Sequence, residues 1–293
     1  MEVKRVIRIG GSYYVALPKA WVLENSLEEG YVTVEAESGG VLRVRALGQK
    51  ERKEPSIARI SCGGEVLRKI LSAYLKGCEV IEISLEEGCR ESALQAALKA
   101  QNLLVGLELV EESKNALILQ CFIREDYSVE SLLYRMNAVS ISMLEKAFQA
   151  LSRGDEEVAD EVRALDDRVD RLYFLTVRLI RGRVANPLTP PEERVRLVDL
   201  RLTAKHLEDL GDTYESLASL ASRTRCELSR VELLEDAQRL VLREVLEGRG
   251  RTEEARNALR KAREHFSRAS LPAAVQEKIL RALDLLEDLA DLA

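Results

Sequence analysis

Apolar and polar positions alternate along the first fifty residues. Val32, Val34 and Ala36 take one side and Tyr31, Thr33, Glu35 and Glu37 the other; after Ser38-Gly39-Gly40, Leu42, Val44 and Ala46 oppose Val41, Arg43 and Arg45. A period of two on both sides of a glycine turn predicts a β-hairpin, with the two arginines on one face. Upstream, 3–9 and 13–17 flank Gly10-Gly11 as two further strands, and Pro18 opens one or two helical turns over 19–25. A segment of about fifty residues buries too little surface to stand alone, so it is expected to pair its strands with a second copy.

A run of charged residues, Lys50 to Glu54, reads as a linker. The pattern then changes. Strands are expected at 57–61, 79–84, 107–111 and 116–122, with helices over 66–75 and 91–104, so 55–123 reads as a small α/β connecting domain. It carries no glycine-rich phosphate loop. From Asp126 to Ala293 the spacing is helical throughout. Breaks near Gly154, 185–191, 223–229, 248–252 and 270–272 divide it into six helices. Thr189-Pro190-Pro191-Glu192 and Ser229-Arg230-Val231-Glu232 have the spacing of capping boxes. Within the second helix, Val158, Val162, Leu165, Val169, Leu172, Thr176 and Leu179 form the seam of an antiparallel bundle.

Composition narrows the function. Hydrophobic residues make up 46% and charged residues 32%, which fits a globular chain, and no segment reaches the ~18 uncharged apolar residues of a membrane span. The first residues lack the apolar run of a secretory signal, so the cytoplasm is the expected compartment. Five scattered cysteines (Cys62, Cys78, Cys89, Cys121, Cys226) contain no CxxC pair and are expected as small buried hydrophobes, without a zinc site or a disulfide framework. Two histidines, His206 and His265, leave no material for a histidine-based triad or metal site. No nucleophile elbow, Walker loop or kinase set is present, and the chain is not expected to be an enzyme.

The chemistry on offer is carboxylate chemistry. Asp166 and Asp170 stand one helical turn apart beside the seam, and Glu208 and Asp212 repeat that spacing on the next helix. Such pairs repel by about 0.2 to 0.5 kcal/mol. Nearby cations are the ordinary remedy. Asp170 has Asp166, Asp167, Tyr173 and Phe174 three and four residues away, and Asp212 has Glu208, Asp209, Glu215 and Ser216, with no cation in either set. An acidic face open to solvent, or pairing with arginines from another helix, is the alternative reading. His206 points away from Glu208 by helical geometry and is expected at the surface.

Asp or Glu, three residues, then Asp, on consecutive helices, resembles the metal-binding motif of PhoU-family proteins, which are built from two three-helix repeats. That resemblance implies a metal held by Asp166, Asp170, Glu208 and Asp212, and an all-oxygen set suits a divalent or trivalent ion such as iron, zinc, manganese or magnesium. Leu286-Glu287-Asp288-Leu289-Ala290-Asp291 echoes Leu207 to Asp212. Glu287 and Asp291 are therefore the corresponding candidates of the second repeat. The helix before them has no aspartate and carries Arg256, Arg260, Lys261 and Arg263, a departure from the duplicated motif.

The run Val3-Lys4-Arg5-Val6-Ile7-Arg8-Ile9-Gly10-Gly11-Ser12-Tyr13-Tyr14-Val15-Ala16-Leu17-Pro18-Lys19-Ala20-Trp21 is similar to the swapped-hairpin, AbrB-type DNA-binding domain. Lys4, Arg5, Arg8 and Lys19 are basic with no acidic residue among them, a patch that dimerisation doubles about a two-fold axis for phosphate contacts. Where that family has a basic residue after the turn, this chain has Gly11 and Ser12.

Together these imply an α+β multidomain chain: an N-terminal swapped-hairpin β domain (1–49), an α/β connector (55–123) and an all-α PhoU-like bundle of two three-helix repeats (126–293). The order resembles fused phosphate-uptake regulators of archaeal type. It implies a cytoplasmic homodimer that binds DNA and metal and regulates phosphate uptake. The alternative is an accessory scaffold that binds a phosphate transporter or a signalling kinase, without membrane insertion of its own.

Overall fold

The computed structural model describes residues 3–37, 39–47, 55–123, 127–186, 189–248, 250 and 252–293. The chain divides into two compact units, Met1–Pro55 and Ser56–Ala293. The expected linker at 50–54 lies outside the described residues.

In the first unit, β1 (Ile7–Ile9) pairs antiparallel with β2 (Ser12–Tyr14) across a turn in which Gly10 has φ +60°. A non-glycine residue disfavours that left-handed backbone. The short helix α1 (Lys19–Glu24) follows Pro18, and β3 (Tyr31–Glu37) pairs with β4 (Val41–Leu47) as the expected hairpin, Val34 opposite Val44. β1 and β2 are shorter than their alternation predicts, as suits an isolated two-stranded ribbon with no third strand to extend it. The two hairpins form separate sheets. Among the described residues of this unit, Leu27 alone of the hydrophobics is buried, while Val3 is 90% and Tyr13 71% exposed.

The second unit opens with a four-stranded sheet, β5 (Ile57–Ser61), β6 (Val80–Ser84), β7 (Leu107–Glu112) and β8 (Ala116–Cys121), in the order β5-β6-β8-β7. β5 and β6 are parallel, joined through α2 (Val66–Leu75); α3 (Arg90–Leu103) leads to the antiparallel pair β7–β8. Ile81, Ile83, Leu117 and Leu119 pack under Ile70 and Tyr74 of α2 and Ala93, Ala97 and Ala100 of α3. The alanine face of α3 lets the helix lie close to the sheet.

Cys62 and Cys89 form a disulfide, contrary to the reading of all five cysteines as independent buried hydrophobes. They follow the C-terminal ends of the adjacent parallel strands β5 and β6, so the sheet brings together residues 27 apart in sequence. Cys78, Cys121 and Cys226 are free and half-buried.

Among the described residues, six α-helices follow: α4 (Val129–Arg153), α5 (Glu156–Ala185), α6 (Pro191–Ser219), α7 (Val231–Glu247), α8 (Glu253–Arg268) and α9 (Ala273–Ala290). Caps fix several boundaries. Ser128 accepts from Ser131 N, Asp155 from Glu157 N and Val158 N, and Thr252 from Ala255 N. The two expected capping boxes do not form. The cap of α6 is Pro190, because Pro191 already occupies the first helical position, and Thr189 Oγ1 donates to Arg183 O at 2.6 Å. Ser229 is likewise displaced by Arg230, which caps α7 in a left-handed conformation at φ 66°.

α4, α5 and α6 pack together, as do α7, α8 and α9, with α6 against α9 and α4 against α7 joining the two sets. The seam of α5 faces the core as expected, with Val158, Val162, Val169, Thr176 and Leu179 buried. One polar network is enclosed: Tyr214 Oη donates to Gln238 Oε1 at 2.8 Å, and Gln238 Nε2 donates to Asn137 Oδ1 at 3.0 Å and Ser140 Oγ at 3.2 Å. Every member has a partner, which ties α4, α6 and α7 to one register. The sheet and the bundle meet along α5, where Phe174 packs against the α/β core and Arg178 reaches the end of α2.

Candidate metal centre

Asp166 and Asp170 lie on the side of α5 that faces α6, and Glu208 and Asp212 on the side of α6 that faces α5. Gly211 makes the approach close. A Cβ on it would stand 3.1 Å from Asp166 Oδ1 and 3.5 Å from Val169 Cγ1. The groove between the helices is a ladder closed by arginines. Arg163 pairs with Glu215 at 3.4 Å at one end, and at the other Arg201 donates to Tyr173 Oη at 2.9 Å while lying 5.1 Å from that ring's centroid. The four acids occupy the middle.

Their electrostatics match this crowding. Burial first, then Asp170, Asp212, Glu215 and Asp167, pushes the Asp166 carboxyl up to about 7. Asp170 is pushed up to about 6 by burial and then by Glu208, Asp212 and Asp167, against the pull of Lys205. Glu208 and Asp212 are also raised, burial leading in both and Lys205 opposing. Partly dehydrated carboxylates pressed together hold protons unless a cation replaces them.

Two residues belong to this face that the four-residue spacing did not single out. Asp209 joins Glu208 and Asp212 in a set whose carboxylate oxygens lie within 4.8 Å of one another. Lys205 donates to Glu208 and, at 2.6 Å, to Asp209. Burial works against its charge, but these hydrogen bonds outweigh it and hold its pKa above the ordinary lysine value. The cation missing from the immediate spacing of Asp170 and Asp212 is thus supplied from further along α6. Lys205 lies three and four residues before Glu208 and Asp209, so both were legible from the sequence once neighbours of every acid were checked.

Among the described residues, the group of three or more carboxylate oxygens within 4.8 Å of one another is that of Glu208, Asp209 and Asp212, all on α6, with Asp166 and Asp170 of α5 outside it; an all-carboxylate group of this kind suits a hard or borderline cation. The second set of three helices is built differently. Arg263 of α8 donates to Glu287 at 2.9 Å and to Asp284 at 2.7 Å, and Ala290 stands where the echo places Gly211. Asp291 caps the end of α9. A guanidinium therefore already holds the carboxylate pair-member Glu287.

His206 departs from expectation. It is partly buried, and its Nδ1 is enclosed without a hydrogen-bond partner. Local spacing placed it away from Glu208 but could not show what packs beside α6.

The four basic residues expected to contact DNA are exposed: Lys4 and Arg5 before β1, Arg8 within it opposite Tyr13, and Lys19 at the start of α1. Arg8 Nε donates to Gly10 O at 3.3 Å, across the turn. No helix of the described residues is long and apolar enough to cross a membrane.

Residues 133–221 match the family model of the PhoU domain, a stretch that begins within α4 and contains α5 and α6 whole. No curated protein and no solved structure matches the chain.

Proposed function

We propose that this chain is a phosphate-responsive regulator whose α5–α6 face takes up a metal ion and whose N-terminal unit binds DNA as a homodimer. One observation supports the reading: Asp166 feels the charge of Asp212, and Asp170 those of Glu208 and Asp212, across α5 and α6, inside the stretch that matches the PhoU domain. Asp209 adds a further carboxylate. An iron, zinc, manganese or magnesium ion bound there would supply positive charge to an acidic groove; the protein's own part is to hold the carboxylates close and half-dehydrated. The chain's role on this reading is regulatory and cytoplasmic, not catalytic.

Homodimerisation is supported by the apolar residues that the first unit leaves in water, Val3, Val6, Ile9, Tyr13 and Tyr31 among them, with Leu27 alone buried among its described hydrophobics. DNA binding is supported by Lys4, Arg5, Arg8 and Lys19, which are exposed and have no acidic residue between them in the sequence. Elemental analysis of the purified protein before and after chelation tests the metal. Footprinting on the DNA upstream of the chain's own gene tests the rest, with protection expected and its loss when Arg5, Arg8 and Lys19 become alanine.

A second reading, a scaffold for a phosphate transporter or signalling kinase, is favoured by one feature. Val195, Val198 and Leu202 form an exposed apolar stripe along α6. Footprinting separates the readings, since the scaffold protects no DNA.

A further inference from the structure

α5 is 30 residues long, contains no proline, and has Gly182 as its one glycine, beyond every residue discussed below. It is a straight rod in sequence terms. Along it Asp166, Asp170, Phe174 and Arg178 recur every four residues, so the acidic face and the junction with the α/β layer lie on one slowly turning line. Asp170 and Arg178 are eight residues apart, about 12 Å at the rise of an α-helix.

The junction is directional. Arg178 Nη1 donates to Tyr74 O at 2.5 Å and to Cys78 O at 3.1 Å, and Nη2 donates to Gly77 O at 3.2 Å. Its guanidinium lies 4.8 Å from the centroid of the Tyr74 ring, and Tyr74 Oη donates in turn to Val105 O at 3.0 Å. Arg181 adds a bond to Leu75 O at 3.4 Å. The last carbonyls of a helix lack partners within it and carry partial negative charge. α2 has no basic residue in its own last turn, so the charge that satisfies this end comes from α5. Phe174 also touches the α/β core, but an apolar contact slides where a fork of hydrogen bonds does not.

We propose that α5 is a transmission rod: cation uptake between α5 and α6 is relayed to the α/β layer through Arg178, which ties α5 to the C-terminal end of α2. The inference rests on the metal reading above. Without a cation nothing bridges the crowded carboxylates of α5 and α6; with one, the two helices are drawn together. An unbroken helix carries that displacement along its length, and the α2 end must follow because one side chain on α5 holds the carbonyl of Tyr74 in its last turn and those of Gly77 and Cys78 just beyond it.

The test uses the full chain and Mn2+ as probe. In the wild type, Mn2+ uptake is expected to slow hydrogen–deuterium exchange of the amides at 72–80 by about tenfold, the scale set by one charged hydrogen bond. Arg178→Met is expected to take up Mn2+ with affinity within about twofold of wild type, because Arg178 touches none of the acids, yet to lose the response at 72–80. Arg178→Lys keeps the charge but not the fork and should retain a reduced response; should the methionine variant fail to fold, the lysine variant decides. Mn2+ uptake by the wild type with no change at 72–80 overturns the relay and leaves the metal reading standing. So does a full response in the Arg178 variant that folds. No uptake by the wild type overturns both.

Discussion

Asp166 Oδ1 occupies the space next to Gly211 that any other residue's Cβ would approach to 3.1 Å. Gly211 is buried inside α6, where glycine costs about 1 kcal/mol relative to alanine. That cost is what brings a carboxylate of α5 against the backbone of α6.

Gly211→Ala should therefore separate stability from binding. The gain in helix propensity and the crowding of Asp166 offset each other, so the melting temperature should change little. Metal affinity should fall by about tenfold, as when a residue that positions a ligand is altered. Paired thermal melts and titration calorimetry with Mn2+ read both. Unchanged affinity would show that Asp166 is not held by this contact.

The metal-free protein should lose stability as pH rises. Asp166 and Asp170 hold their protons up to about 7 and about 6 in the folded chain, against 3.8 for an ordinary aspartate open to water. A raised carboxylate pKa means that the folded state binds more protons than the unfolded state, so stability is full below pH 3.8 for these groups and drains away as pH climbs through 6 and 7. Melts in chelator across pH 4.5 to 8 should descend through this window, and saturating metal should flatten the curve. A chelated protein whose melt is level from pH 5 to 8 refutes the crowding.

Replacing Asp170 and Asp212 together by asparagine relieves repulsion while removing ligands. Metal uptake should vanish, and the metal-free variant should melt a few degrees above metal-free wild type. An asparagine variant that still purifies with the same metal content removes these two from the site.

Reduction of the Cys62–Cys89 bridge should lower the stability of the α/β layer. For a closed loop of this length the chain-entropy estimate is about 3 to 4 kcal/mol. Cys89→Ser should mimic the reductant, and adding reductant to that variant should do nothing further. An identical melt for oxidised and reduced wild type would contradict the assignment.

A chain starting at Ser56 tests the role of the first unit. It should stay folded, since Ser56–Ala293 is compact in itself, and it should be monomeric by light scattering while the full chain is expected to be a dimer. An equally tight dimer without residues 1–55 would place the association elsewhere.

The secondary structure was legible where local spacing decides it. The breaks between helices fell near Gly154, Gly248 and Pro272, and the seam from Val158 to Leu179 faces the core. The four acids were legible for the same reason: residues four apart share a face. What escaped depended on neighbours distant in sequence or on competition between signals. Cys62 and Cys89 meet because two parallel strands end side by side. Thr189 and Ser229 had the spacing of caps, but Pro191 and the left-handed Arg230 took the boundary. Asp209 was hidden by the four-residue pattern on which Glu208 and Asp212 were chosen, and the enclosed His206 depends on packing that α6 alone does not encode.

Arg263 has one more consequence. In the second set of three helices the cation is covalently part of the chain, so it cannot be diluted, chelated or exchanged for another. The charge opposite Glu287 and Asp284 is therefore set by the sequence and not by the solutes around the protein.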